Sequence, residues 1–254
     1  MRGKIVVVTG AASGIGRELA RAFFKKYAAV YALDVDKKGL SELSEEASRE
    51  GLYLHTKLID VTDREALFAF AKELSQIDIW VNNAGIAHFG SYLEGDHAAF
   101  KKLMEINFWG VINGSDAVMQ NSKNPTIVNI ASVAGILPSP LLTTYAASKH
   151  AVVGYTRSLR EECRVHKIPA KFVLVMPGFV DTKIIDKRAR GVLTQKIKLA
   201  SPDQVAKEIL EALEAGKEEV IVTKNGKAMV ATGKIAPFLL RAGFRKLASK
   251  MPRS

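Results

Sequence analysis

The feature that most restricts the fold is the regular alternation of short apolar runs and segments of helical periodicity along the chain. The apolar run at 5–8 precedes a helical pattern at 15–27, and the alternation continues to a last apolar run at 220–222. Strands that alternate with helices of about 10–15 residues indicate βαβ units and a parallel sheet. No linker or repeat interrupts this pattern. We therefore predict a single domain over 1–233 and a separate tail over 234–254.

The intervening elements follow from the same periodicities. Runs rich in valine and isoleucine fit strands that are buried on both faces of a sheet. Further strands are predicted at 30–33, 52–58, 77–81, 126–130 and 172–176. Further helices are predicted at 40–50, 64–74, 100–119, 143–166 and 202–215.

The net charge of +11 is confined to two segments. Residues 183–198 hold six basic residues and one acid, and residues 224–254 hold eight basic residues and no acid. The rest of the chain is therefore slightly acidic. Because the excess is local and no basic stripe is interleaved with aromatic residues, a general nucleic-acid-binding protein is excluded.

Cysteine usage and hydropathy point to a cytoplasmic protein. The single cysteine, Cys163, cannot form an internal disulfide, which is typical of a reducing compartment. No apolar run reaches the roughly 20 residues of a membrane span, and the run at 5–8 is too short for a signal peptide. The five histidines show no metal-ligand spacing, so no metal site is expected.

A glycine-rich turn follows the first predicted strand and opens the first helix. Gly10, Gly14 and Gly16 have the spacing G-x-x-x-G-x-G. Glycines let the backbone turn sharply and approach a pyrophosphate, and the helix start adds free N–H groups. No Lys-Ser/Thr pair follows, which excludes a P-loop. The turn predicts a dinucleotide site.

Asp34 ends the second predicted strand, eighteen residues after Gly16. An acid at this place accepts hydrogen bonds from the adenosine ribose hydroxyls and repels a 2′-phosphate. The alternative is that Asp34 or Asp36 caps the following helix, and the two roles can coexist. Lys37 and Lys38 weaken the discrimination. NAD is favoured over NADP.

Tyr145 and Lys149 are four residues apart in a predicted helix, so they share one face. An ammonium group beside a phenol favours the phenolate and lowers the tyrosine pKa. A phenol of lowered pKa exchanges protons more readily near neutral pH. Taken alone, the pair is also typical of an exposed helix surface, and the rest of the chain must decide.

Seven motifs, taken together and in their order along the chain, favour a functional role for the Tyr145–Lys149 pair. They are Thr9-Gly-x-x-x-Gly-Ile-Gly16, Asp60-Val61, Asn82-Asn-Ala-Gly85, Asn107, Ser132, Tyr145-x-x-x-Lys149 and Pro177-Gly-Phe-Val-Asp-Thr182. On these motifs the sequence resembles the short-chain dehydrogenase/reductase family over about 4–222. The resemblance implies an α/β fold: a Rossmann-type, doubly wound parallel sheet in three α/β/α layers. It also implies a homodimer or homotetramer that associates through the helices at 100–119 and 143–166.

The resemblance implies roles for four catalytic residues. Tyr145 would be the general acid/base, and Lys149 would lower its pKa and hold the nicotinamide ribose. Ser132 would hydrogen-bond the substrate oxygen. Asn107 would keep its helix irregular and position a water molecule for proton relay. The alternative is a non-catalytic dinucleotide-binding redox sensor or scaffold, which the loss of Ser132, Tyr145 or Lys149 would have favoured. All three are present.

The resemblance also implies the binding residues of a nicotinamide cofactor, NAD with NADP as the alternative. They are Gly10, Ala12, Ser13, Gly14, Ile15, Gly16, Asp34, Asp60, Val61, Asn83, Ala84, Gly85, Tyr145, Lys149, Pro177, Gly178, Val180 and Thr182. The expected substrate contacts are Ser132, Ala134, Ile136, Tyr145 and Phe179.

The segments at 86–89 and 133–142 are mostly apolar and favour a lipophilic ketone or secondary alcohol as substrate. The basic segment at 183–198 would cover the pocket as a lid. It leaves two readings open. It would attract an acidic handle, such as an acyl thioester on a phosphate-bearing carrier, or it would be only a solvated face.

The tail predicts an amphipathic helix that starts near Pro237. Leu240, Phe244, Leu247 and Met251 form one apolar stripe, and the polar face is entirely basic. Such a helix suits peripheral attachment to the inner, anionic face of a membrane. The equally open alternative is that the stripe packs on the protein's own body or on a partner subunit.

Overall fold

Seven parallel strands form one sheet in the computed structural model, which describes residues 3–26, 28–185, 187–194 and 197–250. The strand order is β3-β2-β1-β4-β5-β6-β7. The strands are β1 (Ile5–Thr9), β2 (Ala29–Asp34), β3 (Leu54–Leu58), β4 (Ile79–Asn82), β5 (Thr126–Ile130), β6 (Lys171–Pro177) and β7 (Glu219–Val222). The order reverses between β1 and β4, and ligands of open α/β sheets bind at such a switch point.

Helices cover both faces of the sheet, as the sequence predicts. They are α1 (Gly14–Phe24), α2 (Lys37–Arg49), α3 (Arg64–Leu74), α4 (His97–Met104), α5 (Gly110–Asn121), α6 (Thr143–Val165), α7 (Lys187–Thr194), α8 (Pro202–Glu214), α9 (Lys224–Ile235) and α10 (Pro237–Ala248). Successive side chains of a strand point to opposite faces. Accordingly, Val6 and Val8 pack with α1, α2 and α8, whereas Val7 packs with α3 and α5.

The predicted single helix at 100–119 is wrong in detail, because two helices occupy that stretch. A π-helical turn, Glu105–Trp109, separates α4 from α5. Single π turns inside helices occur frequently at functional sites. Two further helices, α7 and α9, were not predicted from the sequence. Both are rich in basic residues and glycine, which hide the helical periodicity.

The tail forms the predicted helix, and its apolar stripe faces the protein. The helix α10 begins at Pro237, and Leu240 is 9% exposed. Leu240 and Phe244 pack with Val133, Leu137 and other apolar residues of the body. For the described residues the second reading therefore holds, while Met251 lies outside them. The division of the chain at 233 stays a prediction. Among the described residues, none of the helices has the length and hydropathy to cross a bilayer.

Candidate active site

A cleft of about 800 Å³ opens at the carboxyl ends of the strands. Its walls include the residues that directly follow five strands, as the topology requires. These are Gly10 after β1, Val35 after β2, Ile59 after β3, Asn83 after β4 and Gly178 after β6. The cleft therefore lies at the carboxyl edge of the sheet, across the point where the strand order reverses.

The glycine-rich turn is packed too closely at Gly10 and Gly16 for a side chain at either position. Gly10 has a φ of +65°, and a Cβ on it would lie 2.7 Å from the Cα of Ala84. A Cβ on Gly16 would lie 2.1 Å from the carbonyl oxygen of Gly10. The side-chain amide of Asn83 donates to the carbonyl oxygens of Thr9 and Gly10, at 3.0 and 3.1 Å. The turn is therefore fixed to the segment that follows β4, and Gly10 and Gly14 line the cleft.

Asp34 lies on the cleft wall with its carboxylate held by backbone groups. Its oxygens accept hydrogen bonds from the N–H groups of Ala12 at 2.8 Å, Val35 at 2.7 Å and Asp36 at 3.0 Å. The capping role belongs to Asp36, which accepts from the N–H of Gly39 at 3.1 Å. The two readings of these acids thus separate: Asp36 caps α2, and Asp34 faces the cleft. Lys37 is the first residue of α2 and is not part of the cleft wall.

The other expected cofactor contacts lie along the same cleft. The Oδ1 of Asp60 accepts from the N–H and the hydroxyl of Thr62, both at 2.9 Å. The carbonyl oxygen of Val61 accepts from the side chain of Asn113 on α5 at 3.0 Å. On the opposite wall, a Cβ on Gly14 would meet the Cγ2 of Thr182 at 3.2 Å. The remaining wall residues from the expected cofactor set are Ser13, Ile15, Ala84, Gly85, Pro177, Gly178 and Val180.

Ser132, Tyr145 and Lys149 meet at one end of the cleft. Ser132 follows β5, and its Oγ accepts from the N–H of Ala134 at 3.1 Å. Tyr145 lies in the first turn of α6, and Lys149 lies one turn later. Lys149 is only 4% exposed, and its Nζ donates to the carbonyl oxygen of Ile130 at 2.9 Å. The sequence spacing therefore produces a cluster of three polar side chains, in which Ser132 and Lys149 are buried and Tyr145 is half-buried.

Burial sets the protonation of this cluster. It raises the pKa of Tyr145, although a hydrogen bond with Ser132 opposes the rise. Burial lowers the pKa of Lys149 to about 8. Both shifts follow from the cost of holding a charge in an apolar environment. The expected depression of the Tyr145 pKa is therefore not met, because burial of the phenol raises the pKa.

Asn107 lies in the π-helical turn beneath the cleft and is fully buried. Its side chain pairs with the backbone of Ile86 in both directions, accepting at 2.8 Å and donating at 2.9 Å. It also donates to the hydroxyl of Ser148 at 3.1 Å, and that hydroxyl donates to the carbonyl oxygen of Tyr145 at 2.7 Å. Asn107 thus connects the segment after β4 to the first turn of α6.

Four expected site residues do not form the cleft wall. Ala12 lies under Gly39 of α2, although its N–H donates to Asp34. Gly16 is enclosed by the glycine-rich turn. Ile136 packs into the apolar clusters around Val153 and Leu137. The fourth is Asn107. The spacing of residues within a sequence motif does not show whether a residue lies on the cleft wall or directly behind that wall.

The cleft also has walls that the sequence did not predict. Val35, Ile59, Lys102 and Ile106 line the end near Asp34 and Asp60. Met229, Phe244, Leu247 and Ala248 line the other end and come from α9 and α10. The apolar stripe of the tail was a usable signal for the second group. The surface that this stripe contacts could not be predicted, because the contact depends on how the chain folds back over the body.

The cleft fits a dinucleotide in its chemistry. Gly10 and Gly14 of the glycine-rich turn present backbone to the cleft at the start of α1. Helix N-termini of this kind bind phosphate. Asp34 provides a carboxylate fixed by backbone groups on the same cleft wall. Comparison with known proteins adds a decisive observation: the family model for short chain dehydrogenases matches residues 4–192.

The chain is a short-chain dehydrogenase/reductase. A curated relative, the 3-oxoacyl-[acyl-carrier-protein] reductase FabG of Thermotoga maritima, is 34% identical over 225 residues, which cover 83% of this chain and 90% of the relative. A short-chain dehydrogenase/reductase of Burkholderia phymatum, solved in complex with NAD, has a TM-score of 0.84 and 25% identity over 95% of each chain. One from Burkholderia cenocepacia, solved in complex with NADP, has a TM-score of 0.80 and 26% identity over 96% of this chain and 98% of its own.

Membership in the short-chain dehydrogenase/reductase family fixes the class of the enzyme. It is an oxidoreductase that uses a nicotinamide dinucleotide and acts on CH–OH groups. The family fold, a Rossmann-type α/β sheet, is the predicted one. The cofactor prediction, NAD with NADP as the alternative, is likewise confirmed at this level, since solved relatives bind each of them.

Proposed function

We propose that this short-chain dehydrogenase/reductase interconverts a lipophilic secondary alcohol and the corresponding ketone, with Tyr145 as general acid/base. The observation that carries the proposal is the wall around Tyr145. Side chains from five separate segments line this end of the cleft, and nearly all are apolar: Phe89, Leu137, Leu142, Phe179, Ile185, Met229, Phe244 and Leu247. A polar cluster at the bottom of an apolar pocket suits a substrate with one oxygen and a hydrocarbon body.

The polar cluster supplies proton transfer and orientation. When bound, the nicotinamide supplies the hydride for reduction and accepts it in oxidation. The phenol of Tyr145 donates its proton to the substrate oxygen in reduction and recovers it in oxidation. Ser132 hydrogen-bonds the same oxygen and holds it beside the phenol. Lys149, with a pKa of about 8, is mostly protonated at neutral pH. Its charge stabilises the phenolate that forms when the proton leaves.

Asn107 acts as a positioning residue in this scheme. Its amide holds Ser148, which in turn holds the backbone carbonyl of Tyr145. A Cβ on Gly85 would lie 3.1 Å from the Oδ1 of Asn107 and 3.7 Å from the Nζ of Lys149. Asn107 and Lys149 are therefore close neighbours across Gly85. This proximity supports the predicted relay of a proton to Lys149 through water positioned by Asn107.

We assign the cofactor preference to Asp34. Its carboxylate is fixed by three backbone N–H groups before any ligand binds. A fixed acid accepts from both ribose hydroxyls and repels a 2′-phosphate. The next wall residue is Val35, which has no charge to offset that repulsion. These features support NAD as the preferred cofactor.

A 3-oxoacyl thioester is the second substrate class. The relative from Thermotoga maritima is named a reductase of 3-oxoacyl groups on acyl carrier protein. In this chain Lys183 is exposed and lies on the cleft wall, where it would meet an acidic handle. The apolar wall would receive the acyl chain in the same way as a lipophilic ketone.

A substrate panel tests the proposal. Purified protein is supplied with each cofactor pair and with apolar ketones and alcohols, 3-oxoacyl thioesters and a small polar ketone, and nicotinamide absorbance is followed. We expect turnover to rise with the apolar length of the substrate. Ser132→Ala should remove most of it, whereas Ser158→Ala, an exposed serine on α6, should not. Equal turnover of polar and apolar ketones would contradict the lipophilic substrate, and an active Ser132→Ala variant would contradict the site.

A further inference from the structure

The turn between α9 and α10 exposes three large apolar side chains within five residues. Ile235 is 85% exposed, Phe238 68% and Leu239 57%. Ile235 ends α9, whereas Phe238 and Leu239 lie in the first turn of α10. We call these three residues the apolar corner. Single exposed apolar residues are ordinary on protein surfaces, but adjacent large ones mark a site of contact.

Exposed cations lie beside the apolar corner at the end of α9 and continue along α10. Lys234, Arg241, Arg245, Lys246 and Lys250 are all exposed. In the described part of the chain, none of these five lies within ion-pair distance of a carboxylate. The sequence itself has no acid after Glu219. The surface therefore combines an apolar tip with uncompensated positive charge.

The opposite face of α10 fixes this surface in place. Leu240, Phe244 and Leu247 point inward at i, i+4 and i+7, and all three contact apolar clusters of the body. The packing is tight, because a Cβ on Gly233 would lie 2.9 Å from Leu137 and 3.1 Å from Leu240. The apolar corner cannot turn inward without breaking these contacts. Its exposure is thus a property of the folded chain.

Charge decides between the kinds of partner. In a two-fold symmetric contact the same patch meets itself, so these cations would face each other. Like charges opposed in this way cost several kcal/mol. An anionic bilayer has the complementary features, because its phosphates attract lysine and arginine and its acyl boundary accepts apolar side chains. The observations favour a lipid surface over a second copy of the chain.

We propose that the apolar corner and the five cations dock this protein on the surface of an anionic bilayer. The docking differs from the predicted one, because the stripe expected to enter the lipid faces the protein and a separate set of residues faces outward. The inner face of the same helix lines the cleft with Phe244 and Leu247. Docking would therefore bring the pocket close to a store of lipophilic substrate. This last consequence rests on the proposed function, whereas the docking itself does not.

Vesicle co-sedimentation tests the docking with the full chain. We expect the protein to pellet with vesicles of phosphatidylcholine and phosphatidylglycerol, and not with phosphatidylcholine alone. Added salt should release it, because salt screens exposed charges. Removing three cations in Arg241→Ala/Arg245→Ala/Lys246→Ala should weaken the partition by on the order of 100-fold, at roughly fivefold per cation. The matched variant Lys72→Ala/Lys123→Ala/Lys217→Ala removes the same charge elsewhere and should keep most of the binding.

A second pair of variants tests the apolar corner. Phe238→Ser/Leu239→Ser should lose binding to the mixed vesicles, whereas Tyr53→Ser/Leu93→Ser, which alters two exposed apolar residues elsewhere, should retain it. All four side chains are exposed, so the variants should fold. Failure of the unaltered chain to pellet would overturn the proposal, as would equal loss in both triple variants. A loss of oligomers in Phe238→Ser/Leu239→Ser, seen by light scattering, would assign the surface to a subunit contact instead. The readout is pelleting, so a failed docking test leaves the proposed reaction untouched.

Discussion

The Nζ of Lys149 lies 5.8 Å from the centre of the Tyr145 ring, one helical turn away on the same face of α6. The ammonium group is also hydrogen-bonded to the carbonyl oxygen of Ile130, and so it is held by β5 as well as by its own helix. Lys149 is buried and Tyr145 is half-buried, and both lie beside Ser132 on the cleft wall. This relationship gives the phenol a fixed cationic neighbour, and it underlies the first two predictions.

Tyr145→Phe removes the exchangeable proton and keeps the ring. Because a positioned acid/base group contributes about 10²–10⁴-fold, we expect kcat to fall by that factor while cofactor binding survives. Tyr155→Phe is a matched control on the same helix, outside the cleft wall. Its activity should stay within a few fold of the original. Steady-state kinetics and cofactor fluorescence titration measure both, and near-normal turnover of Tyr145→Phe would remove Tyr145 from the mechanism.

Lys149 should make the stability of the protein depend on pH. Its pKa is lowered from 10.5 to about 8, so the unfolded chain binds the proton more tightly. Stability therefore rises with pH between about 8 and 10.5 and is lowest below that window. The difference is worth up to roughly 3 kcal/mol. Urea unfolding of Lys149→Met and of the unaltered protein should show their stability difference shifting by that amount across the window. A difference independent of pH would contradict the burial of a charged lysine.

Asp34→Ser should increase the use of NADP(H) relative to NAD(H), because the repulsion of a 2′-phosphate disappears. We expect the ratio of the two kcat/KM values to shift by on the order of 100-fold, the result of losing a like-charge contact of several kcal/mol. Asp36→Ser is the control. Serine also caps helices, so this change should cost little stability, and it should leave the ratio unchanged. A wild-type preference for NADPH would show that Asp34 does not control the choice.

Leu247→Ala should widen the pocket at the end formed by α10. We expect kcat/KM for a long apolar substrate to fall by about tenfold as apolar contact is lost, since burying a leucine side chain is worth roughly 1.5–3 kcal/mol. A short ketone that does not reach this wall should be unaffected. Leu239→Ala, on the outer face of the same helix, should change neither value when no lipid is present. Equal losses for both substrates would place the substrate elsewhere.

The protein should form a homodimer or homotetramer through α4, α5 and α6. Trp109, in the π-helical turn, is 49% exposed and would be covered by such a contact. Light scattering at micromolar concentration should show more than one subunit. Trp109→Lys should shift the mass downward, and Tyr53→Lys, an exposed aromatic position outside these helices, should not. A monomeric unaltered protein would contradict this prediction.

The sequence predicted the sheet and the polar cluster well because each depends on local spacing. Strands buried on both faces read as apolar runs, and Tyr145 and Lys149 share a face through helical geometry alone. The break at Glu105–Trp109 agrees with the irregular helix that the family resemblance implied at Asn107, but spacing alone did not predict it. It accompanies contacts of Asn107 with Ile86 and Ser148, which are remote in sequence.

The direction of the Tyr145 pKa shift was predicted wrongly for a related reason. The spacing of two residues predicts that a lysine lies near a tyrosine, but it does not give the depth of either side chain. Burial depends on the whole fold, and here it controls the direction of the shift. For the same reason, the sequence did not predict that Met229, Phe244 and Leu247 line the cleft. Their stripe was visible in the sequence, and only the path of α9 and α10 over the body shows what it covers.

The pocket wall formed by α9 and α10 has a consequence for how this enzyme can diversify. The wall lies beyond the last strand, and the family model that matches the chain ends at residue 192, before it. Ser132, Tyr145 and Lys149 lie in a separate, earlier stretch. Under the proposed function, we therefore expect substitutions after residue 224 to alter which molecule is accepted while proton transfer is left intact. Substrate choice and proton transfer would then be carried by separate stretches of the chain, so that one could change without loss of the other.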